Sequence, residues 1–494
     1  MSLIQIQNLS FAYDGSYDDV FKDVSIQLDT DWKLGLIGRN GRGKTTFLNL
    51  LHGKYEYSGR IISEANFEYF PYTLQNKQRN TLEIIREICP DCMDWEISYE
   101  LSQIDVDDAI LSRPFACLSN GEQTKLLLAA LFLVSNAFLL LDEPTNHLDA
   151  AGRRSVKKYL KKKKGFILVS HDRDLLDACV DHVLSINRND IEIQKGNFST
   201  WYQNKAQQDH YEFMQNEKQK KEIARLSSAA RQSKQWSDQV EKTKNATRNS
   251  GIKPDKGHVG HMAAKMMKRS KNIEARQKSA IEEKSKLLKN LEKTDSLKLS
   301  PLKHWNQTLL MLKDVSIQYG TRPVCGPVSF TVAQGDRIAI QGKNGAGKTS
   351  ILKLLRGEAI PYQGEFHPAS GLILSDVPQD TSFLCGSLTA YAEAQRLEET
   401  LFKSILAKLD FSRKQFEKDL SDFSEGQKKK VLLAKSLCQK ANLYIWDEPL
   451  NYVDLLSRIQ IETLILKDCP TMVFVEHDSE FVKKIATKTV VLTS

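Results

Sequence analysis

The sequence predicts two α/β domains in tandem, joined by a long basic helical hairpin. An internal repeat is the first sign, because motifs of the first half recur in the second half at offsets of 304 to 306 residues. The matched pairs are Lys44 with Lys348, Ser119 with Ser424, Asp142 with Asp447, and His171 with His477. Short apolar runs that alternate with helix-like stretches are the second sign, typical of a largely parallel sheet covered by helices. We therefore expect α/β domains at residues 1–200 and 301–494 and a linker at residues 201–300.

Strands are predicted where the first copy has short apolar runs, at Lys33 to Ile37, Phe138 to Leu141 and Phe166 to Val169. Longer apolar runs such as Leu126 to Val134 stay well below the roughly 18 residues of a membrane span. The N-terminus alternates polar and apolar residues like a strand and does not resemble an export signal. We expect a folded cytoplasmic chain without a transmembrane segment.

Between the repeats, residues 201–300 hold 23 Lys and Arg against 12 Asp and Glu, a net charge of +11. Residues 201–240 and 262–291 contain no Gly and no Pro and are rich in helix-forming residues. Four helix-breaking residues lie between these two stretches: Gly251, Pro254, Gly257 and Gly260. Two long helices joined by a loop, a hairpin, are therefore expected.

The eight cysteines are scattered, and Cys89 and Cys92 form the only close pair. No second pair or histidine follows at the spacing that would complete a zinc site. We expect free thiols, with a redox role for this pair as the alternative.

Two glycine-rich loops fit the phosphate-binding pattern GxxxxGK[ST], and each follows an apolar run and precedes a helix-like stretch. The candidate ATP-binding residues of the first loop are Gly38, Arg39, Asn40, Gly41, Arg42, Gly43, Lys44, Thr45 and Thr46. Those of the second are Gly342, Lys343, Asn344, Gly345, Ala346, Gly347, Lys348, Thr349 and Ser350. Backbone amides at a helix N-terminus would surround the phosphates, the lysines would neutralise them, and Thr45 and Thr349 would bind Mg²⁺.

Each copy also has an apolar strand that ends in two acids, Asp142–Glu143 and Asp447–Glu448. The aspartates are candidate Mg²⁺ ligands. The glutamates are candidate catalytic bases, because a carboxylate beside the γ-phosphate can take a proton from the attacking water. The sequence therefore predicts two sites of ATP hydrolysis.

Further motifs resemble those of the ABC ATPase family. The signature sequence is similar at Ser119, Gly121 and Glu122 and again at Ser424, Gly426 and Gln427, while Asp149 and Asp454 resemble the D-loop and His171 and His477 the switch histidine. The resemblance implies that the two histidines act in catalysis. It also implies that the signature of one cassette covers the ATP of the other, so that Ser119 meets the ATP on Lys348 and Ser424 the ATP on Lys44. Tyr13 and Tyr319 lie where family members stack an aromatic ring on adenine, although a tyrosine in the core is the alternative.

The two copies depart differently from the family pattern. Gln379 is at the position of the magnesium-facing glutamine, but Tyr72 occupies the matching place in the first copy, with Gln75 three residues later. Glu122 replaces the usual glutamine, and Leu450 and Tyr452 alter the segment after the second acid pair. We expect two inequivalent ATP sites.

As a whole, the chain resembles the ABC-F family of ribosome-binding ATPases, and in its motifs most closely the branch that protects ribosomes against lincosamides, streptogramin A compounds and pleuromutilins. This resemblance implies binding to 23S rRNA and tRNA by a monomer whose cassettes pair within the chain. The stretch 242–271 has nine basic residues and one acid, as expected for phosphate contacts. The candidate ribosome-binding residues are Lys242, Lys244, Arg248, Lys253, Lys256, Lys265, Lys268, Arg269 and Lys271.

Three alternatives remain open. A housekeeping ABC-F translation factor is the first; the separations of 75 and 76 residues between P-loop lysine and signature serine leave no room for the arm subdomain that some such factors carry. The ATPase component of a transporter with a separate membrane subunit is the second. A DNA-repair ATPase is the third, and it would be expected to have zinc-binding cysteines or longer coiled coils.

Overall fold

The structure is a computed structural model. It describes residues 2–13, 19–74, 76–146, 148–187, 191–243, 299–319, 322–343, 345–409, 411, 413–451 and 453–492, together with residues 261, 264–265, 268, 272 and 275–276. Residues 1–199 and 294–494 form one compact unit, and residues 200–293 form another. The first unit contains both repeats, which we call cassette 1 and cassette 2.

Cassette 1 alternates strands and helices as the sequence predicts. Its strands are β1 Leu3–Phe11, β2 Phe21–Asp29, β3 Lys33–Ile37, β4 Ser58–Ile62, β5 Asn66–Phe70, β6 Ala137–Asp142, β7 Phe166–Val169, β8 His182–Ile186 and β9 Ile191–Lys195. Its helices are α1 Lys44–Leu51, α2 Thr81–Ile88, α3 Asp94–Gln103, α4 Asn120–Leu133, α5 Ala150–Lys162 and α6 Arg173–Cys179. The three predicted strands are confirmed as β3, as part of β6 and as β7.

Cassette 2 repeats this order. After α7 Phe198–Thr243, its strands are β10 Thr308–Tyr319, β11 Arg322–Ala333, β12 Arg337–Gln341, β13 Tyr362–Pro368, β14 Leu374–Val377, β15 Leu443–Asp447, β16 Met472–Val475 and β17 Lys488–Val491. Its helices are α8 Lys348–Leu355, α9 Leu388–Ala394, α10 Glu399–Lys408, α11 Glu425–Cys438, α12 Leu455–Asp468 and α13 Ser479–Ile485.

The central sheets place the functional segments at one edge. Cassette 1 has the strand order β5-β6-β7-β3-β8-β9, and cassette 2 has β14-β15-β16-β12-β17. These pairs are parallel except for β8 with β9. Because parallel strands end at the same edge, the loop after β3 and the acids at the end of β6 become neighbours, and the same holds for β12 and β15.

Burial explains why these strands read as continuous apolar runs. Every residue of β7 and of β16 is buried, since helices cover both faces of a parallel sheet. Helix α1 contacts β5, while α8 contacts β15 and β16. A separate three-stranded antiparallel sheet flanks each core, in the order β2-β1-β4 and β11-β10-β13.

The linker prediction is confirmed in its first half. Helix α7 is 46 residues long and begins three residues before the predicted start at Trp201. The predicted loop at 249–261 lies almost entirely outside the described residues. The described residues between 261 and 276 are helical, and the rest of the second predicted helix lies outside the described part of the chain. The domain boundaries at residues 200 and 300 stay predictions.

The described helices include none that is long and apolar enough to cross a bilayer.

The expectation of free thiols is wrong at one pair of cysteines. Cys89 and Cys92 lie between α2 and α3, with their Cα atoms 5.7 Å apart, and are joined by a disulfide. That separation is within the range of roughly 4.4–6.8 Å that a disulfide requires. The other six cysteines are free: Cys117, Cys179, Cys325, Cys385, Cys438 and Cys469.

Candidate active sites

The two phosphate-binding loops connect β3 to α1 and β12 to α8, as the sequence predicts. Gly43 precedes α1 with φ of 89°, and Gly347 precedes α8 with φ of 84°. A Cβ at Gly43 would lie 2.7 Å from Val20 Cγ1, and one at Gly347 would lie 2.9 Å from Cys325 Cβ. Glycine is thus required twice over, by the left-handed backbone and by the close packing.

The predicted phosphate-binding lysines fold back over their loops. Lys44 Nζ donates to the carbonyl oxygens of Gly38 at 2.7 Å and Arg39 at 3.2 Å, and to Asn40 Oδ1 at 3.2 Å. Lys348 Nζ donates to the corresponding carbonyl oxygen of Gly342 at 2.9 Å. Burial lowers the pKa of both lysines, while nearby carboxylates favour the charged form. Each loop therefore places a lysine amine at its centre, where a polyphosphate needs a positive charge.

At the end of β6, Asp142 faces the first loop. Thr45 Oγ1 donates to Asp142 Oδ2 at 2.8 Å, and Tyr69 on β5 donates to the same oxygen at 3.1 Å. A threonine hydroxyl and a carboxylate side by side are the oxygen donors that Mg²⁺ prefers. The sequence prediction included Thr45 and Asp142 but missed Tyr69. The feature that points to Tyr69 is a hydroxyl group near the end of an apolar strand, two positions before Pro71.

The second loop has the same donor types. Asp447 is 1% exposed, and the Thr349 hydroxyl is the side-chain donor that faces it, without reaching good hydrogen-bond geometry. Burial raises the pKa of Asp447. Thr349 Oγ1 lies 3.5 Å from Gln379 Oε1, at the far limit of a hydrogen bond. A buried carboxylate beside the Thr349 hydroxyl and the Gln379 amide oxygen fits a divalent cation.

The two candidate bases share an unusual backbone but differ in their surroundings. Glu143 has φ of 52° and Glu448 has φ of 47°, a strained conformation for a non-glycine residue that is found at active sites. Glu143 Oε1 lies 3.3 Å from His171 Nε2. Burial, with Asp142 adding to it, raises the pKa of Glu143 to about 8.

Glu448 instead accepts a network of hydrogen bonds. Gln379 Nε2 donates at 3.0 Å and Asn451 Nδ2 at 2.6 Å, and His477 Nε2 lies 3.2 Å away. Burial alone would raise its pKa, but the hydrogen bond and charge of His477, together with Lys429, hold the pKa of Glu448 below its usual value. The predicted inequivalence of the sites therefore has a counterpart in the structure.

Both signature segments cap a helix. Ser119 precedes α4 and Ser424 precedes α11, and each forms a capping box with the residue three positions later. Glu122 Oε2 accepts from both the Ser119 amide, at 2.8 Å, and the Ser119 hydroxyl, at 2.7 Å. Gln427 Oε1 accepts from the Ser424 amide at 3.0 Å. Asp149 and Asp454 likewise cap α5 and α12.

The two tyrosines at the predicted adenine positions lie beside the phosphate loops. Tyr13 shares a 2.6 Å hydrogen bond with Thr46, and Tyr319 donates to Ser350 at 3.4 Å. They are 44% and 45% exposed, so the alternative of core tyrosines is wrong. Their contact with adenine stays a prediction.

A cavity of about 1190 Å³ brings residues of both cassettes together. Its predicted site residues from cassette 1 are Tyr13, Asn40, Gly41, Gly43, Lys44, Thr45, Thr46, Asp142, Glu143 and His171. Those from cassette 2 are Gly345, Gly347, Lys348, Thr349, Ser350, Gln379, Ser424, Gly426, Gln427, Glu448 and His477. The second signature thus lines the same cavity as Lys44. Of the first signature segment only Asn120 lines it, and Ser119, Gly121 and Glu122 do not.

Some predicted residues are not placed by the structure. Asn344, Gln75 and Tyr452 lie outside the described residues. Tyr72 is half-buried, and it does not line the cavity. Asn451 and Arg458 do line it and were missed. Asn451 lies between Leu450 and Tyr452, the two positions that depart from the family pattern, and Arg458 belongs to no motif of the phosphate chemistry.

Comparisons with known proteins agree with this geometry. The ABC transporter domain family matches residues 21–146 and 325–451, ranges that include both phosphate loops and both acid pairs. The putative ATP-binding protein YdiF of Bacillus subtilis (strain 168) is 28% identical over 548 residues, covering 100% of this chain and 80% of the relative. ATP-binding protein Uup of Buchnera aphidicola subsp. Schizaphis graminum is 26% identical, covering 99% and 80%.

Solved structures share the fold. An archaeal ribosome recycling factor, aABCE1, solved with the ribosomal stalk protein aP1, has a TM-score of 0.60 at 16% identity and is matched over 96% of this chain and 85% of that one. A structure named RNase-L Inhibitor has a TM-score of 0.57 at 17% identity, covering 94% and 84%.

Two P-loops, two acid pairs and two capped signature segments occur in one compact unit, and both family matches include all three features. The matches along nearly the whole chain are to ATP-binding proteins. The chain is an ATPase that belongs to the ABC transporter family, whose ATP-binding domain it contains twice.

Proposed function

We propose that this ATPase binds the ribosome while both cassettes are closed on ATP and leaves after hydrolysis. The observation that carries the proposal is the net charge of +11 in residues 201–300, between two cassettes that form one compact unit. Such a charge density suits the phosphates of rRNA. Structures with the same fold are described as a ribosome recycling factor and as ribosome-bound archaeal Pelota and ABCE1, which supports the same class of partner.

In each ATP site, the lysine of the loop, Lys44 or Lys348, would neutralise the β- and γ-phosphates. Thr45 and Asp142 would hold Mg²⁺ in the first site, and Thr349, Asp447 and Gln379 in the second; the bound ion would neutralise the phosphate charge that develops during transfer. Glu143 and Glu448 would accept the proton of the attacking water. His171 and His477, 3.3 Å and 3.2 Å from these carboxylates, would orient them.

The linker would contact RNA through phosphates and shape. No Phe, Tyr or Trp occurs between Trp236 and Trp305, so that stretch offers no aromatic platform for stacking bases. The nine basic residues of 242–271 suit the sequence-independent contacts that remain. We expect this segment to lie against 23S rRNA and tRNA.

More narrowly, we propose protection of the peptidyl transferase centre from antibiotics, as the resemblance to the resistance branch implies. The segment 249–261 would rearrange the drug site or the bound tRNA. Expression in a susceptible Gram-positive host should raise the inhibitory concentration of a lincosamide or a pleuromutilin. If expression changes none of these inhibitory concentrations, the resistance proposal is wrong and the housekeeping translation factor is the favoured alternative.

Ribosome binding is tested with the Glu143→Gln, Glu448→Gln double variant, in which hydrolysis is blocked and the closed state persists. With ATP and moderate salt, this variant should co-sediment with ribosomes. The matched control adds Lys44→Ala and Lys348→Ala, which remove ATP binding, and should stay in the supernatant. Equal amounts of both variants in the ribosome pellet, or none of either, would contradict the proposal.

A further inference from the structure

A buried ion pair joins the two cassettes. Arg173, the first residue of α6 in cassette 1, donates from Nη1 to Glu462 Oε2 of α12 in cassette 2 at 2.9 Å, and its Nη2 lies 2.7 Å from Glu462 Oε1. The side chains are only 8% and 6% exposed. A paired guanidinium and carboxylate is the form in which such charges can be buried.

A second arginine crosses the same interface one helical turn away. Arg458 lies four residues before Glu462 on α12, and its Nη1 donates to the carbonyl oxygen of His171 at 3.1 Å. Its Nε and Nη2 donate to Val453 and Leu450 of its own cassette at 2.9 Å and 2.8 Å. Cassette 2 therefore holds the switch-histidine segment of cassette 1 at two points, His171 and Arg173.

These contacts exist on one side of the internal repeat. At the repeat offset of 305 to 306 residues, Ser479 replaces Arg173 and Lys157 replaces Glu462, so no ion pair can form there. Lys157 instead pairs with Asp174 of its own cassette, at 2.6 Å.

Arg153, the counterpart of Arg458, donates to Leu148 of its own cassette at 3.2 Å. Within the described part of the chain, no hydrogen bond joins it to His477. Among the described residues, an ion pair and a hydrogen bond thus tie the first ATP site to the opposite cassette, and neither has a counterpart at the second site.

We propose that the Arg173–Glu462 pair, with Arg458, is a one-sided latch through which cassette 2 positions the switch histidine of the first ATP site. His171 Nε2 lies 3.3 Å from Glu143 Oε1, so a shift of the latched segment moves the imidazole relative to the candidate base. Arg173 and Glu462 are positioning residues, since they touch neither the phosphate loop nor the acids. The latch keeps the first site assembled and makes its turnover depend on the position of cassette 2.

The test is Glu462→Gln, which keeps the size of the side chain and removes its charge. ATP hydrolysis is measured in two backgrounds: Glu448→Gln, where the first site turns over, and Glu143→Gln, where the second does. We expect kcat to fall about fivefold or more in the first background and by less than about twofold in the second. Equal falls in both, or no fall in either, would overturn the latch. Lys157→Gln, the matched change at the repeat position, should leave the first site unchanged.

Exchanging the charges of Arg173 and Glu462 distinguishes a loss of positioning from a loss of folding. Arg173→Glu and Glu462→Arg alone should each lower turnover of the first site, and the double exchange should restore most of it. Lack of rescue in a double variant with an unchanged melting temperature would count against the latch. The site-selective test rests on the proposed roles of Glu143 and Glu448. If neither Glu143→Gln nor Glu448→Gln lowers ATP hydrolysis, the assignment of these two residues as catalytic bases is wrong. The charge exchange between Arg173 and Glu462 still tests the latch in that case, because it is measured as the total ATPase rate.

Discussion

At the scale of single residues, the signature serines differ in where their hydroxyl proton goes. A hydroxyl has one proton to donate, and Ser119 donates it to Glu122 Oε2 at 2.7 Å. Ser424 donates no hydroxyl hydrogen bond among the described residues. In the family arrangement the first signature would cover the ATP on Lys348, so the second site would meet a serine whose proton is already engaged.

Glu122→Gln should therefore raise turnover of the second site. A neutral amide binds the Ser119 proton less strongly than a carboxylate does, and we expect an increase of about two- to tenfold. The rate of ATP hydrolysis is measured in the Glu143→Gln background, where the second site is the one that turns over. Gln427→Glu is the matched change and should slow the first site in the Glu448→Gln background. An unchanged rate in both cases would show that the capping residue does not control the serine.

The candidate bases give a second prediction at this scale. Glu448 accepts hydrogen bonds from Gln379 and Asn451, at 3.0 Å and 2.6 Å, while Glu143 is paired with His171 and has a raised pKa. Because the surroundings differ, Glu143→Gln and Glu448→Gln should reduce total ATPase activity by different factors. The larger loss is expected from Glu143→Gln, since the latch keeps the first site assembled. Steady-state kcat of the two single variants checks this, and equal losses would argue against inequivalent sites.

Residue types in motifs predicted the phosphate loops well, because lysine, glycine and paired acids at fixed spacing have few other uses. Residues that act through tertiary contact could not be found this way. Tyr69 binds Asp142 from a neighbouring strand, and Arg458 reaches His171 from the other cassette. The disulfide of Cys89 and Cys92 was also missed, because it depends on how two helix ends meet.

At the scale of elements, a buried hydrogen bond ties α5 to α3 in cassette 1. Tyr159 on α5 donates to Glu100 Oε2 on α3 at 2.7 Å, and Lys163 lies 2.6 Å from the other carboxylate oxygen. Burial and this hydrogen bond raise the pKa of the Tyr159 phenol. Tyr159→Phe should lower the free energy of unfolding by about 1–3 kcal/mol, because a buried carboxylate oxygen loses its donor.

Urea denaturation of the full chain measures that loss. Lys162→Met is the control, since the exposed Lys162 makes a similar 2.7 Å contact with Gln103 but at the surface. It should change stability by less than about 0.5 kcal/mol. Equal effects of the two changes would mean that the buried network does not stabilise the packing of α3 and α5.

The sequence predicted strands where nearly every side chain is buried, and helices where helix-breaking residues are absent. Strands β3, β6 and β7 read as apolar runs because helices cover both faces of their sheet, and α7 read as a helix because it lacks Gly and Pro. Of the small antiparallel sheets, the sequence indicated only β1, where polar and apolar residues alternate. Their strands β4 and β13 are largely exposed, so their sequences have little apolar periodicity.

At the scale of the whole molecule, charge is distributed unevenly. The chain carries +8 and residues 201–300 carry +11, so the remainder is slightly acidic. The repeat predicted the two cassettes, but how the cassettes touch depends on side chains such as Arg173 and Glu462 that no motif contains. Because the remainder is acidic and the linker is basic, we expect electrostatic binding to RNA to depend on the linker and not on the net charge of the chain alone.

The salt dependence of ribosome binding tests this. Lys265→Gln, Lys268→Gln and Lys271→Gln together should reduce the slope of log K against log salt by roughly 2 to 3, since each phosphate contact contributes roughly 0.7–0.9. The control replaces Lys158, Lys161 and Lys164, at the exposed end of α5 and just beyond it, with Gln, which changes the net charge equally within cassette 1. Binding is measured with the double base variant and ATP, by sedimentation at several salt concentrations. A control that lowers the slope as much as the linker variant would show that ribosome affinity follows the total charge of the chain, and the linker would then not be the RNA-binding element.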